Sequence, residues 1–474
     1  MNGNKIIFVT LLFFQIELCA ENSLAQINFS QFQNQHTFSQ ASQYMPSFIG
    51  EGVRKYKITF FDFYGGVSNS TFSLAAINKL SATAKWSDKT SDSIVNNLKA
   101  ENTFYAGGNI SLLHISLNIK NKSKNKFLSF AGGLRERVDM NALYSRNLVS
   151  LLLKGNKQFA GENVSLSPLS VNFLQCTDYF FGMKTLLSLK VGKKTLLKLK
   201  PAFQIHYLTS MANVYTENSD FSLYTQEEGR ELQMNYNYNL YITSPGENIG
   251  LRGIFGQIKT KDITKNLFRC IGHGKSIDIG FGADVNDWIK INMALTDIGS
   301  ISFKKQSVKY AGGGEIKFDG FITSYTETQN NFKSQADSML MLLNPTVETA
   351  AYKVPLAAKY FSNASFNFLK KRKKNGMVYF RHTFNISYVQ GFKYYLNTSK
   401  TPLLALGYNY SIGNIVNAGI NTSLGGTNGK TTGANLSFQL GNYQLWFNSN
   451  NLLPLIDKKN ARGLDGAFGM GIEF

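Results

Sequence analysis

The sequence predicts an all-β protein: a single antiparallel transmembrane β-barrel of about 14 strands, an even count within 14–16, with one or two short helices in loops or lumen. Three observations predict it. A lysine and a short apolar run open the chain, as in an exported protein. Period-two alternation of apolar and polar residues then recurs along most of its length. A final alternating stretch ends on Phe474.

Composition narrows the class first. Of 474 residues, 43% are hydrophobic, 13% aromatic and 17% charged. With 37 Phe and 23 Tyr the chain is too aromatic for disorder, and a mean hydropathy of -0.17 is too polar for a polytopic helical membrane protein. Eight prolines and 41 glycines exclude a collagen-like chain. The 50 Lys+Arg against 30 Asp+Glu give a net charge of +20. Lysines far outnumber arginines, and the basic residues are dispersed apart from Lys370-Lys371-Arg372-Lys373-Lys374. Nucleic-acid readers lean on the arginine fork, so no nucleic-acid partner is expected. The positive balance suits anionic headgroups or anionic solutes.

At the start, Lys5 precedes the apolar run Ile6 to Phe14, and Ser23-Leu24-Ala25 offers small residues for a signal peptidase. Residues 1–25 therefore read as a secretory signal, excluded from the fold. Leu18 before Cys19 is too bulky for a lipobox. Residues 26–47 form a polar, Gln-rich segment that reads as a strap or lumen element, and 48–474 form the barrel. Export permits a disulfide between Cys176 and Cys270, and two unpaired thiols fit equally well.

After residue 25 no run of 18 apolar residues occurs, so no transmembrane helix is written in the chain. Strands are. Leu197, Leu199, Pro201, Phe203, Ile205 and Tyr207 alternate with Lys198, Lys200, Ala202, Gln204 and His206. Met234 to Ile242, Val378 to Tyr388, Leu404 to Ile412 and Ala434 to Leu440 behave alike. Each is near the 9–11 residues with which a tilted strand crosses a bilayer. The polar faces are mostly Asn, Ser, Gly, Thr, Gln and Lys, whereas the outer face of a soluble sandwich would carry many charges.

Tight turns are expected at Asn286-Asp287, Asn375-Gly376, Gly413-Asn414, Gly441-Asn442 and Gly192-Lys193, where Asn and Gly tolerate positive φ. Longer connections cover 244–274, 391–401, 425–431 and 450–463. From Gly192 onward the two kinds alternate if a strand runs near Phe221 to Thr225, which puts short turns in the periplasm and long loops outside. On this phasing the run 370–374 is a solvated periplasmic turn that blocks edge pairing. Residues 141–155 and 328–343 read instead as short amphipathic helices, the first ended by Gly155.

In the last strand Leu464, Gly466, Phe468, Met470, Ile472 and Phe474 alternate with Asp465, Ala467, Gly469, Gly471 and Glu473. Phe468, Met470, Ile472 and Phe474 resemble the C-terminal signal by which barrel insertion machinery recognises its clients.

Several stretches carry a wider resemblance: Leu152 to Leu174 (with Gly155-Asn156 and Phe159-Ala160-Gly161), Ile277 to Asp284, Ala294 to Ile301, and Gly314 to Gly320. They resemble an uncharacterised outer-membrane barrel family common in Bacteroidota, a domain of unknown function distantly similar to FadL-type transporters of hydrophobic compounds. The resemblance covers most of the chain after residue 25 and implies a barrel and an outer-membrane location. Where that family tends to place Asn-Pro-Ala, this chain has Met45-Pro46-Ser47.

Enzyme motifs are weak. Gly425-Gly426-Thr427-Asn428-Gly429-Lys430-Thr431 resembles a phosphate-binding loop with its first glycine one position off, and flanking strands make it a hairpin. Cys270 and His273 lack a second pair of zinc ligands. No catalytic, metal or cofactor residues are assigned. The lumen-lining candidates are Lys198, Lys200, Gln204, His206, Asn235, Asn237, Asn239, Lys290 and Asn292. The expected partners are the outer-membrane bilayer with its lipopolysaccharide and the barrel insertion machinery. The expected function is passage of a small solute, hydrophobic ones included, through the lumen. The alternative is a non-transporting scaffold that binds a periplasmic or surface partner.

Overall fold

The computed structural model describes residues 39–51, 55–73, 88–120, 126–191, 194–228, 231–244, 270–286, 288–318, 345–372, 378–413, 415–427, 429–457 and 461–474. The export signal and the helix expected at 328–343 lie outside the described residues.

Fourteen antiparallel strands close into a barrel. In chain order the wall is β1 (Tyr56–Asn69), β2 (Glu101–Lys120), β3 (Lys126–Ser145), β4 (Leu169–Thr185), β5 (Lys194–Thr225), β6 (Gly272–Val285) and β7 (Ile289–Phe303). It continues through β8 (Lys359–Arg372), β9 (Val378–Gly391), β10 (Leu403–Ile412), β11 (Val416–Gly425), β12 (Gly429–Leu440), β13 (Tyr443–Ser449) and β14 (Gly463–Glu473). The first and last strands close the ring, from Lys57 opposite Glu473 to Ser68 opposite Gly463. Closure leaves the wall without an edge, so its backbone donors and acceptors pair within it.

Alternation sets the two faces of each strand. On β6, Ile277, Ile279 and Phe281 are exposed, Ile279 by 52%, while Ser276, Asp278 and Asp284 between them are buried. On β10, Leu404, Leu406 and Tyr408 are exposed, and Ala405 and Asn409 are buried. Apolar side chains thus point away from the barrel and polar ones into it, the inverse of a water-soluble sheet.

Connections sort by mouth. β6 turns into β7 at Asn286 (φ 52), β10 into β11 at Gly413 (φ 60) and β12 into β13 at Gly441 (φ 63). Positive φ at these residues matches the twist of the flanking strands. All three turns lie at one end, the turn mouth, and the expected alternation with longer loops at the opposite loop mouth is what the strand directions show. The glycine-rich stretch at 425–431 is a hairpin, with Ser423 opposite Thr431 and Gly425 opposite Gly429.

Two expectations need correction. The helix expected at 141–155 begins only at Arg146 and runs to Lys154, because Asn141 to Ser145 still pair in β3. Ser145 caps it by accepting from the Leu148 amide, and Gly155 ends it at φ 76. Leu232–Thr243, expected to cross the bilayer, instead belongs to a rim extension. β5 is 32 residues long and includes 221–225; its first half pairs β6 and its second half pairs Leu232–Thr243. Ser307–Phe318 pairs on the far side of that segment. The apolar residues Leu232, Met234 and Ile316 pack against Leu151, Phe159 and Leu166. Alternation alone cannot distinguish a face turned to lipid from one packed on neighbouring chain. A helix at Asp88–Asn97 was not foreseen in the sequence.

Candidate functional site: an occupied lumen

The chain fills its own lumen from both mouths. Residues 39–51, with 3-10 turns at Ser39–Gln43 and Pro46–Phe48, form a plug in which Ala41, Met45, Ser47 and Ile49 are fully buried. Met45 and Phe48 join an apolar cluster with Phe361, Val389 and Leu403, and Ile49 packs with Ala131 and Phe180. Polar groups of the wall hold the plug backbone and side chains. Gln43 donates to Ser111 Oγ at 2.9 Å, Ser47 Oγ donates to Asn292 Oδ1 at 2.9 Å, and Asn118 Nδ2 donates to the Gly50 carbonyl at 2.9 Å. Glycines on the inner face make the room: a Cβ at Gly280 would stand 2.9 Å from the Ser47 nitrogen.

At the turn mouth the plug ends on Glu51. Its Oε1 lies 2.9 Å from Lys184 Nζ and 3.2 Å from Lys200 Nζ, and Oε2 lies 3.9 Å from Lys290 Nζ. Lys200 also meets Asp284 at 2.6 Å. Burial would raise the Glu51 carboxyl, but the three lysines outweigh it and hold it well below the usual carboxylate range.

From the loop mouth, the β9–β10 connection folds inward as a cap. Tyr395 and Leu396 are buried among Leu174, Leu208, Ile301 and Phe303. The Leu396 amide donates to Asn141 Oδ1 at 2.9 Å, and Asn397 Oδ1 accepts from Lys359 Nζ at 2.6 Å.

Between plug and cap runs a chain of charged side chains. Arg135 Nη1 donates to Gln43 Oε1 at 3.1 Å, while its Nε and Nη2 reach Asp178 Oδ2 at 2.7 and 2.6 Å. His206 lies between two carboxylates, Nδ1 2.9 Å from Asp178 and Nε2 3.2 Å from Asp278. Asp278 accepts from the Asp297 amide at 2.6 Å. The Asp297 carboxylate takes a forked pair from Arg137 at 2.8 and 3.1 Å and meets Lys359 at 3.2 Å. Lys359 closes the chain onto the cap. A cavity of about 30 Å³ beside it is bordered by Tyr44, Tyr64, Tyr105, Arg137 and Asp139. It has room for about two water molecules. Tyr105 donates to Asp139 Oδ1 at 2.8 Å.

The nine lumen candidates divide. Lys200, Gln204, His206, Lys290 and Asn292 are buried on the inner wall around the plug, and Lys198 is half-buried at the turn mouth. Asn235 and Asn237 are exposed and Asn239 is half-buried, all three on the rim extension rather than in the fourteen-strand wall. On β14, Met470 and Phe474 are exposed and Phe468 and Ile472 are half-buried, on the strand's outward face. The sequence reading missed Glu51, Arg135, Arg137, Asp178, Asp278, Asp297 and Lys359. The two-residue spacing of Arg135, Arg137 and Asp139 on one strand face is the pattern that would have pointed to them. Cys176 is buried and Cys270 exposed, and no disulfide joins them.

A family model described as a family of unknown function (DUF5723) matches residues 47–450. No curated protein matches the chain. Among solved structures, the toluene transporter TbuX of Ralstonia pickettii is similar with a TM-score of 0.40 at 9% identity, over 93% of this chain and 99% of that one. A Pseudomonas aeruginosa FadL homologue gives a TM-score of 0.38 at 10% identity, over 95% of this chain and 98% of that one. The translocator domain of the autotransporter NalP from Neisseria meningitidis gives 0.33 at 7% identity, over 92% of this chain and 95% of that one.

Proposed function

The chain belongs to the DUF5723 family of unknown function, and we propose that it is an outer-membrane barrel passing a small solute through a lumen gated by its own plug and cap. The outward belt supports the membrane location. Side chains such as Ile205, Ile279, Phe281, Leu404 and Ile420 are each about two-fifths exposed or more. Keeping one such half-exposed side chain in water forgoes roughly half of the about 1.5–3 kcal/mol that its full burial is worth, which an acyl-chain environment restores. On this reading the short turns face the periplasm.

One observation carries the transport reading: a continuous run of paired charges joins Gln43 of the plug to Asn397 of the cap through the wall. A barrel needed only as a shell is stabler with an apolar filling, since buried ion pairs are often worth less than well-packed hydrophobic residues. Beside their apolar contacts, plug and cap are held by hydrogen bonds and ion pairs that water can replace when they leave. What remains is a polar, charged path suited to polar solutes.

Conductance across planar bilayers tests this. Ser47→Cys with Asn292→Cys, in a Cys270→Ser background, ties the plug to the wall when oxidised. Solute flux is expected in the reduced protein and none in the oxidised one. Flux absent in both states would remove the transport reading. The scaffold reading draws on the rim extension, whose strand Thr346–Thr349 is exposed at every residue. A stoichiometric cross-linked partner on a barrel without flux would favour it.

A further inference from the structure

The plug brings one charge into the lumen. Of residues 39–51, Glu51 alone is acidic or basic, and it stands at the turn mouth against an arc of four consecutive wall strands. Lys184 lies on β4, Lys200 on β5, Asp284 on β6 and Lys290 on β7, and all four are buried. Lys184 Nζ donates to Glu51 Oε1 at 2.9 Å, Lys200 Nζ lies 3.2 Å from the same oxygen, and Lys290 Nζ is 3.9 Å from Oε2. Asp284, 2.6 Å from Lys200, supplies a wall carboxylate to this cluster. Farther up the lumen the wall pairs its charges with each other: Arg135 with Asp178, His206 with Asp178 and Asp278, and Arg137 with Asp297. The plug meets that run through the neutral side chain of Gln43.

We propose that Lys184, Lys200 and Lys290 form a binding site for a small carboxylate solute, and that Glu51 occupies this cradle as a tethered stand-in which the solute replaces. The inference deepens the transport reading above and rests on it. Carboxylate is the group the cradle holds, with Oε1 facing two ammonium groups and Oε2 a third. Withdrawing that anion without a replacement strands buried cations, which opposes plug release. A solute carboxylate removes the penalty by taking the same place. A ligand that binds the released state alone shifts the equilibrium toward that state. Glu51 competes at the high effective concentration of a group on the same chain, so it lowers the affinity of the natural protein.

The wall just above the cradle is polar. Gln204 lies opposite Gly182, two residues before Lys184, and Asn292 stands two residues beyond Lys290, opposite Asn363. Gln204 and Asn292 are fully buried. Among the described residues neither Nε2 nor Oε1 of Gln204 finds a hydrogen-bond partner, nor does Nδ2 of Asn292. Buried amide groups left unmet are costly, and polar groups on the solute beyond its carboxylate would satisfy them. Such surroundings suit a short, water-soluble acid rather than one with a long apolar tail.

Equilibrium dialysis of radiolabelled acetate against the barrel in detergent tests this, with heat-modifiable migration showing that each variant is folded. Glu51→Gln frees the cradle of its own carboxylate and should bind acetate roughly tenfold or more tightly than the natural protein. Adding Lys200→Gln, or Lys290→Gln where the first combination does not fold, should weaken that binding roughly tenfold or more. In the natural lumen, acetate should also quicken labelling of Ser47→Cys in a Cys270→Ser background, relative to chloride at equal ionic strength. Binding by Glu51→Gln no tighter than in the natural protein, binding indifferent to the lysines, or labelling indifferent to acetate overturns the proposal. Displacement of acetate by inorganic phosphate at equal concentration would also overturn it, making phosphate the ligand, and equal displacement by chloride would do so by showing no selectivity. Planar-bilayer flux is read on the same proteins. Flux without acetate binding removes this site and leaves transport standing, whereas acetate binding in a barrel without flux removes transport and leaves the carboxylate site.

Discussion

The Glu51 carboxylate lies 2.9 Å from the Lys184 ammonium and fixes the lower end of the plug to β4. Lys200 and Lys290 lie behind it with Asp284 as their other acidic neighbour. Glu51→Gln leaves three buried ammonium groups facing one carboxylate. Breaking a buried pair from one side costs about 3–5 kcal/mol. The plug can leave without unfolding the wall, so the cost is expected as plug release. Labelling of a Ser47→Cys reporter by an impermeant maleimide should quicken by roughly a hundredfold to a few thousandfold, with barrel migration unchanged. An unchanged labelling rate would mean that the clamp contributes little.

The same clamp has a pH signature. The Glu51 carboxyl is depressed in the folded state. A depressed acid contributes stability above its unfolded pKa and loses it as pH falls through the folded one. Reporter labelling should therefore stay flat from about pH 8 to pH 5 and accelerate only in more acidic solution, below the ordinary Glu range. Acceleration between pH 7 and 6 would point to another group.

Close approach of Gly280 to the plug makes a second separation of plug from wall. A Cβ there meets the Ser47 nitrogen and Pro46, whereas one at Gly466, on the outward face of β14, meets nothing within 4 Å. Gly280→Ala should raise Ser47→Cys labelling. Gly466→Ala should leave it alone and stabilise the barrel by about 0.4–1 kcal/mol, because alanine reduces the freedom of the unfolded chain. Urea unfolding in detergent reads both. Equal labelling in the two variants would argue that the plug tolerates a methyl group at β6.

On the membrane reading, the barrel was legible because lipid forces it. Only a closed sheet pairs its backbone in a bilayer, so apolar alternation and Asn/Gly turns recur strand after strand, as at Leu404 to Ile412 followed by Gly413. The interior was less legible. Lys200, His206 and Asn292 stood out as polar residues on an alternating strand, but which residue meets which depends on strands far apart, as Ser47 does with Asn292. The cap at Tyr395 and Leu396 looked like any polar loop. Leu232–Thr243 misled because its period is that of a wall strand while its apolar face is covered by Leu151 and Phe159 rather than by lipid.

Arg137 and Asp297 form the forked pair at the centre of the charged run, both nearly fully buried. Arg137→Ala leaves Asp297 with Lys359 alone, and the loss is expected at about 3–5 kcal/mol, read as a lower urea midpoint in detergent. Arg137→Lys keeps the charge and loses the fork, so it should recover only part of that loss. Full recovery by lysine would show that charge, and not bidentate geometry, holds this site.

The correction at the rim can be tested against the wall directly. Ile279 is 52% exposed in the middle of β6, and Asn237 is exposed on the extension. If the belt meets lipid, Ile279→Lys should cost about 2–4 kcal/mol when the barrel folds into bilayers, the penalty for a cation near the midplane. Asn237→Lys changes one exposed polar residue for another and should stay within about 0.5 kcal/mol. Folding yield into vesicles of increasing urea content measures both. A penalty at Asn237 equal to that at Ile279 would return Leu232–Thr243 to the membrane wall. No penalty at Ile279 would instead mean that the outward belt of β6 does not face acyl chains.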